Sequence, residues 1–142
     1  MKRIRDLLAG KGGEICSVSP AATVHEAVKL LAEKNIGALV VMEGESLAGI
    51  VSERDYLRKI ALGQSDSSGI TVAEIMTSPV ACARPEQSVE ECMAMMTDKR
   101  IRHLPVVEND MVIGVISIGD LVKAIIAEQQ FIIEQLEHYI AG

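Results

Sequence analysis

Apolar and polar positions alternate along this chain in two rhythms, and the pair of rhythms occurs twice. A short apolar run, Ile15–Val18, is followed by Pro20 and then by Thr23-Val24-His25-Glu26. There a hydroxyl residue precedes a Glu by three positions, the form of a capping box that opens a helix. Val24, Ala27, Val28 and Leu31 then recur at helical spacing. Two β-rich runs follow, Ala38–Met42 and Leu47–Val51, joined by the polar Glu43-Gly44-Glu45, which predicts a hairpin. A second helix is predicted to start at Ser52.

The same order returns further on. Val80–Ala83 is a short strand, Ser88-Val89-Glu90-Glu91 has capping-box form, and Val89, Cys92, Met93 and Met96 make a helical stripe. Leu104–Val107 and Met111–Ile116 flank Glu108-Asn109-Asp110 as a second hairpin, and a helix starts at Ser117. Sliding the sequence on itself aligns Ile15–Leu62 with Val80–Ala127 without a gap, with identities that include Pro20/Pro85, Glu26/Glu91, Gly49/Gly114, Ser52/Ser117 and Asp55/Asp120. Gap-free register means that the copies share element lengths. The prediction is a mixed α/β (α+β) fold of two pseudo-symmetric β-α-β-β-α repeats.

Gly63-Gln64-Ser65-Asp66-Ser67-Ser68-Gly69 is a polar linker, and a short helix over Val72–Met76 leads through Thr77-Ser78-Pro79 into the second copy. By sequence order the chain divides into residues 1–68 (first repeat with N-terminal segment and linker), 69–127 (second repeat) and 128–142 (an extension). A repeat of roughly 50 residues buries little surface alone, so the two halves are expected to form one body. The last helix runs past the repeat to about Ile140, with Leu121, Ile125, Ile132, Leu136 and Ile140 on an apolar face. Such a face needs a cover, and a second subunit is the expected one.

Composition narrows the function. Among 142 residues the net charge is −6, with two Tyr, one Phe and no Trp. Nucleic acid is thereby disfavoured, because phosphate binding needs a basic surface and single strands need aromatic platforms. The three cysteines, Cys16, Cys82 and Cys92, lack C-x-x-C spacing and read as small core residues of a reducing compartment. His25, His103 and His138 are scattered, so no metal site is expected. No catalytic constellation is expected either, since no base or carboxylate pair accompanies the thiols. The charged N-terminal stretch and the lack of a membrane-length apolar run predict a cytoplasmic protein.

The segments with chemical content are Gly49-Ile50-Val51-Ser52-Glu53-Arg54-Asp55 and Gly114-Val115-Ile116-Ser117-Ile118-Gly119-Asp120. In each, a strand ends in a Ser that opens a helix, with an Asp three residues on. Free amides at a helix start suit a phosphate, and a carboxylate accepts from a ribose diol. The same pattern is also a capping box and serves to start a helix without any ligand. The residues alone leave both readings open, and the two are compatible.

These segments, with Lys99-Arg100-Ile101-Arg102-His103-Leu104-Pro105-Val106-Val107 and Glu74-Ile75-Met76-Thr77, resemble a tandem pair of cystathionine β-synthase (CBS) domains, the Bateman module, over about Ile4 to Ile126. The closest resemblance is to short stand-alone bacterial members. That resemblance implies a non-catalytic regulatory module, binding AMP first and ATP, ADP or NAD(H) as competitors, in clefts between the repeats. It also implies disc-like homodimers and an unknown regulated protein. Asp55 and Asp120 would meet ribose, and Ser52 and Ser117 phosphate. Cys16–Val18, Cys82, Ala83, Ile50 and Val115 would lie against adenine. Arg102 and His103 would reach phosphate; their counterparts Gly37 and Ala38 carry no charge, while Arg54 stands where the second copy has Gly119. The Asp120 site is therefore expected to hold a phosphorylated ligand best, with Arg54 or a borrowed cation serving Asp55.

Overall fold

The computed structural model describes residues 2–12, 14–61 and 69–141. Residues 63–68 of the expected 63–69 linker lie outside the described residues. In order the elements are α1 (Ile4–Lys11), β1 (Ser17–Val18), α2 (Val24–Lys34), β2 (Ala38–Glu43), β3 (Ser46–Ser52), α3 (Glu53–Tyr56) with a π-helical turn over Leu57–Ala61, α4 (Val72–Ile75), α5 (Val89–Lys99), β4 (His103–Glu108), β5 (Met111–Ser117) and α6 (Ile118–Ala141). The chain folds into two compact units that are not contiguous in sequence. One comprises Glu14–Ala81 with Asn109–Val112, the other Met1–Gly13, Cys82–Glu108 and Ile113–Gly142.

In the first of these, β1 runs parallel to β2, and β2 pairs antiparallel with β3, Val40 opposite Ile50. Both predicted capping boxes form. The Thr23 hydroxyl accepts from the Glu26 amide at 3.1 Å, and the Ser88 hydroxyl accepts from the Glu91 amide at 3.1 Å. Helices α2 and α5 each end on a residue in the left-handed region, Asn35 and Arg100. The apolar stripe Val24, Ala27 and Leu31 packs with Leu39, Val41 and Val51 in a single core, closed by Ile60, Val72 and Ile75. Helix α4 docks here through its backbone: the Val24 amide donates to Ile70 and the Val72 amide to Ala22, both at 2.8 Å.

The other unit repeats this construction with a substitute part. β4 and β5 form the hairpin, and Ala83 pairs in parallel with Val106, so the expected strand Val80–Ala83 is a single bridge. The element in the place of α4 is α1. Arg3 bridges to Ser88 as Thr71 bridges to Thr23, and Ile4, like Val72, is wholly buried. The Ile4 amide donates to Gln87 at 2.9 Å and the Val89 amide to Lys2 at 3.1 Å. Arg5 adds ion pairs to Glu86, at 2.6 Å, and to Glu108. The N-terminal segment, placed with the first repeat by sequence order, thus groups in space with the residues of the second. Helix α5 packs on α6, whose Leu121 and Ala124 are buried; beyond Glu128 every described residue of α6 is exposed.

Candidate functional site

Each predicted Ser–Asp segment becomes a strand-to-helix junction closed by reciprocal hydrogen bonds. At the first, the Ser52 amide donates to Asp55 Oδ2 at 2.8 Å, the Ser52 hydroxyl donates to the same oxygen at 3.1 Å, and the Asp55 amide donates back to Ser52 Oγ at 3.4 Å. At the second, the Ser117 amide donates to Asp120 Oδ2 at 2.8 Å and the Asp120 amide to Ser117 Oγ at 3.2 Å. The capping role is therefore realised at both, and each Asp is half-buried.

An incoming segment completes each junction, and sequence reasoning assigned neither contributor. At the first, Thr77 pairs with Ile50 through both backbone groups, at 2.8 and 3.1 Å, and its hydroxyl donates to Asp55 Oδ1 at 3.3 Å. At the second, the last residue of α1 arrives. Lys11 Nζ donates to Asp120 Oδ2 at 2.6 Å and to the Val115 carbonyl at 2.7 Å. Ile50 and Val115 are equivalent positions of the repeat, so each junction is met at the same place, by a hydroxyl in one and an ammonium in the other. Thr77 lay within the Glu74–Thr77 motif. Lys11 lies ahead of the aligned repeat, which begins at Ile15, and its neighbours in sequence give no such signal.

The motif glycines explain how these segments come so close. A Cβ on Gly49 would stand 2.6 Å from Met76 Sδ and 3.0 Å from the Thr77 carbonyl oxygen. A Cβ on Gly114 would stand 2.6 Å from Leu8 Cδ2. At Gly49 a bare backbone is what leaves room for the covering main chain, whereas at Gly114 the neighbour is the tip of a side chain.

Electrostatics separates the junctions. Burial pushes the Asp120 carboxyl up, but the Lys11 ammonium and the Ser117 amide and hydroxyl outweigh it and hold the group below the ordinary aspartate range. The other predicted residues are distributed as follows. Arg102 is exposed, and its carbonyl accepts the Ile118 amide at 2.8 Å, which ties it to the start of α6 through main chain. His103 opens β4 and is half-buried. Ala83 is buried against β4; Cys82 is partly buried, and desolvation raises its thiol pKa. Arg54 is exposed in α3, Val18 pairs with Val41, and Cys16 packs on the core of its unit. A separate groove of about 360 Å³ lies between α2 and α3, lined by Val28, Leu31, Asn35, Ile36, Glu53 and Tyr56 among others. It offers one carboxylate and no cation, a poor match for phosphate, and contains none of the predicted ligand residues.

Two copies of this junction in a doubled β-α-β-β-α fold agree with the comparisons. The CBS domain model matches residues 13–62 and 72–127. The chain belongs to the CBS-domain family. It is 40 % identical over 148 residues to the mitochondrial CBS domain-containing protein CBSX3 of Arabidopsis thaliana, covering 98 % of this chain and 72 % of that one. Among solved structures, it matches a CBS-domain protein of Burkholderia ambifaria assigned to signal transduction, with a TM-score of 0.86 and 48 % identity over 90 % of this chain and 96 % of that one. A CBS-domain protein of Pyrobaculum aerophilum, solved in complex with AMP, matches with a TM-score of 0.75 and 28 % identity over 84 % and 89 %. The resemblance and the mixed α+β fold with a long C-terminal helix hold. Relatives of this chain thus include one assigned to signal transduction and one that holds AMP, an adenosyl ligand. No helix among the described residues is long and apolar enough to cross a membrane.

Proposed function

We propose that this CBS pair is a non-catalytic sensor of the cytoplasm that binds an adenine nucleotide, AMP first, with ATP, ADP and NAD(H) as competitors, and passes energy or redox state to a regulated partner. The observation that carries this reading is the Ser–Asp junction, built twice with the same 2.8 Å amide-to-carboxylate bond and completed each time by a donor from elsewhere in the chain. At the Asp120 junction a ribose diol takes the place of Lys11 on the carboxylate, and the freed ammonium pairs with the phosphate. Arg102 adds charge at the same end of α6, and Val115, Cys82 and Ala83 supply the apolar side for adenine. At the Asp55 junction Thr77 is a neutral donor, so Ser52, Asp55 and Arg54, with Cys16, Val18 and Ile50, suit a ligand with less phosphate. A ligand shifts the protein only through unequal affinity for two of its states, and release of Lys11 supplies such a difference.

Calorimetric titration with AMP, ATP and NADH tests the reading, on the wild type and on Asp120→Asn and Asp55→Asn. Asparagine keeps an acceptor for the Ser amide while removing the charge, so the fold survives. Asp120→Asn is expected to weaken AMP at least tenfold, and an absence of heat with all three ligands at millimolar concentration refutes the sensor. A second reading, a dimeric scaffold working through the C-terminal helix without ligand, is favoured by the exposed apolar residues of α6. Deleting Glu128–Gly142 separates the two: a sensor keeps its nucleotide affinity, whereas a scaffold loses everything it does.

A further inference from the structure

Helix α1 is held at its two ends in different ways. Its first turn is fixed by main chain. The Ile4 amide donates to Gln87 and the Arg5 amide to Pro85, both at 2.9 Å, and the Val89 amide donates to the preceding Lys2 at 3.1 Å. The Ile4 side chain is wholly buried. The last turn is held by side chains. Leu8 and Lys11, three residues apart on one face, rest on the β5–α6 junction, Leu8 by its tip against Gly114 and Lys11 by its ammonium on Val115 and Asp120. Water screens that ion pair, whose side chains are 40 % and 23 % exposed. The sequence of the turn adds a weakness. Gly10 lies inside the helix without positive φ, and a Cβ built there would meet nothing within 4 Å. Unlike Gly49, it makes room for no neighbour, yet glycine lowers the helical population of such a turn about fivefold relative to alanine. Helices α2 and α5 close on left-handed residues whose amides return to the last turn, Asn35 to Leu31 and Ala32, Arg100 to Met96 and Thr97. Helix α1 ends instead on Gly12, at φ 94° and ψ 165°, outside that closing geometry.

We infer, resting on the nucleotide reading of the Asp120 junction, that the last turn of α1 is the gate of that junction: it opens by local unfolding beyond the fixed first turn and closes by seating Lys11 on Asp120. Asp120 Oδ2 already accepts from the Ser117 amide and from the Lys11 ammonium, so a ribose diol competes with Lys11 for it. Opening carries Leu8 and Lys11 off together, because they share the turn. A site that is competent only when open binds more weakly in proportion to the fraction of open molecules. The stability of one helical turn thereby sets the affinity of a site that the turn does not itself build. At the Asp55 junction the covering segment is held otherwise: Thr77 is pinned to Ile50 by two backbone bonds. One repeat thus takes its ligand through a gate, and the other past a fixed edge.

Two substitutions in the full chain move the gate in opposite directions. Gly10→Ala steadies the turn, and Ala9→Gly, at an exposed position, loosens it. Amide exchange followed by NMR, corrected for intrinsic rates, is expected to slow about fivefold over residues 8–11 in the first and to quicken about fivefold in the second. The amides of Ile4 and Arg5 keep their wild-type rates. AMP is titrated calorimetrically in chains that also carry Asp55→Asn, so that the heat reports the Asp120 junction. Its affinity is expected to fall about fivefold with Gly10→Ala and to rise about fivefold with Ala9→Gly. That order is the reverse of helix stability, which damage to the fold could not produce. Equal affinities with and without the two substitutions, while exchange responds as expected, overturn the gate and leave the nucleotide reading standing. Absence of heat in every chain overturns that reading and the gate with it. Exchange over residues 8–11 that is as slow as at Ile4 and indifferent to both substitutions overturns the gate whatever the heats.

Discussion

Lys11 and Asp120 are joined by a 2.6 Å ion pair between the end of the N-terminal helix and the start of the C-terminal one. The same ammonium holds the carbonyl of Val115, so one side chain caps the edge of β5 and occupies the carboxylate that opens α6. Thr77 has the corresponding place at Asp55 with a hydroxyl. The repeats are alike in backbone and unlike in charge, and the difference comes from segments that precede each repeat.

Replacing Lys11 by Met keeps the aliphatic stem and removes the ammonium. Because the Lys11 side chain is 40 % exposed, solvent screens the pair, and the loss of stability is expected to be about 0.5–1 kcal/mol in urea unfolding. The effect on ligands is larger and depends on phosphate. AMP affinity is expected to fall about tenfold, with a weaker salt dependence, while adenosine binds as well as before or better. Equal weakening of AMP and adenosine would show Lys11 to be structural only.

The depressed Asp120 carboxyl also predicts a pH signature. A group with a lowered folded-state pKa contributes stability that is present above its unfolded value, about 3.9, and lost as pH falls through the folded one. The stability gap between wild type and Lys11→Met should thus be constant from neutrality down to about pH 5 and shrink below about pH 4. Denaturant melts at several pH values measure it; a gap that widens in acid contradicts the assignment.

The thiols should differ sharply. Cys92 is wholly buried, and desolvation together with the charge of Glu91 pushes its pKa up to about 11. Cys82 is partly buried and also raised by burial. Only the thiolate is nucleophilic, so alkylation of the native protein at pH 8 should spare Cys92 until the protein unfolds. Mass spectrometry of iodoacetamide adducts reads this directly, and early labelling of Cys92 would mean that α5 opens locally.

Much of this architecture was legible because its signals are local. Thr23/Glu26 and Ser88/Glu91 announce helix starts within four residues, and the Ser52/Asp55 and Ser117/Asp120 caps do the same. The hairpins follow from β-rich apolar runs around Gly44 and Asn109-Asp110, all three in the left-handed region. What escaped is non-local. Nothing around Lys11 indicates that α1 leaves its neighbours in sequence to fill, beside Ser88, the place that α4 fills beside Thr23. Val80–Ala83 read as a strand from its apolar run, yet it contributes a single bridge, Ala83 to Val106, because a ladder needs a facing edge as well as propensity. The link of the Arg102 carbonyl to the Ile118 amide is likewise non-local and made by main chain, which side-chain type does not announce.

The two motif glycines give the last prediction, since equal positions should respond unequally to one methyl group. At Gly49 the new Cβ meets Met76 and the carbonyl of Thr77, and Thr77 is pinned by two backbone bonds to Ile50. That carbonyl cannot retreat without breaking the pairing, so Gly49→Ala should cost about 1–3 kcal/mol and loosen the Thr77 contact to Asp55. At Gly114 every atom met belongs to the tip of Leu8, which a rotamer change moves aside. Neither glycine has positive φ, so alanine also stiffens the unfolded chain, which returns about 0.4–1 kcal/mol. Gly114→Ala should therefore lie within about 1 kcal/mol of the wild type. Its trace should be in α1: displacing Leu8 tilts the helix that delivers Lys11, and amide exchange over Ile4–Lys11 should quicken while that of α5 stays slow. If Gly114→Ala proves as damaging as Gly49→Ala, then α1 is held as rigidly as the Thr77 segment, and Lys11 could not leave Asp120 for a phosphate.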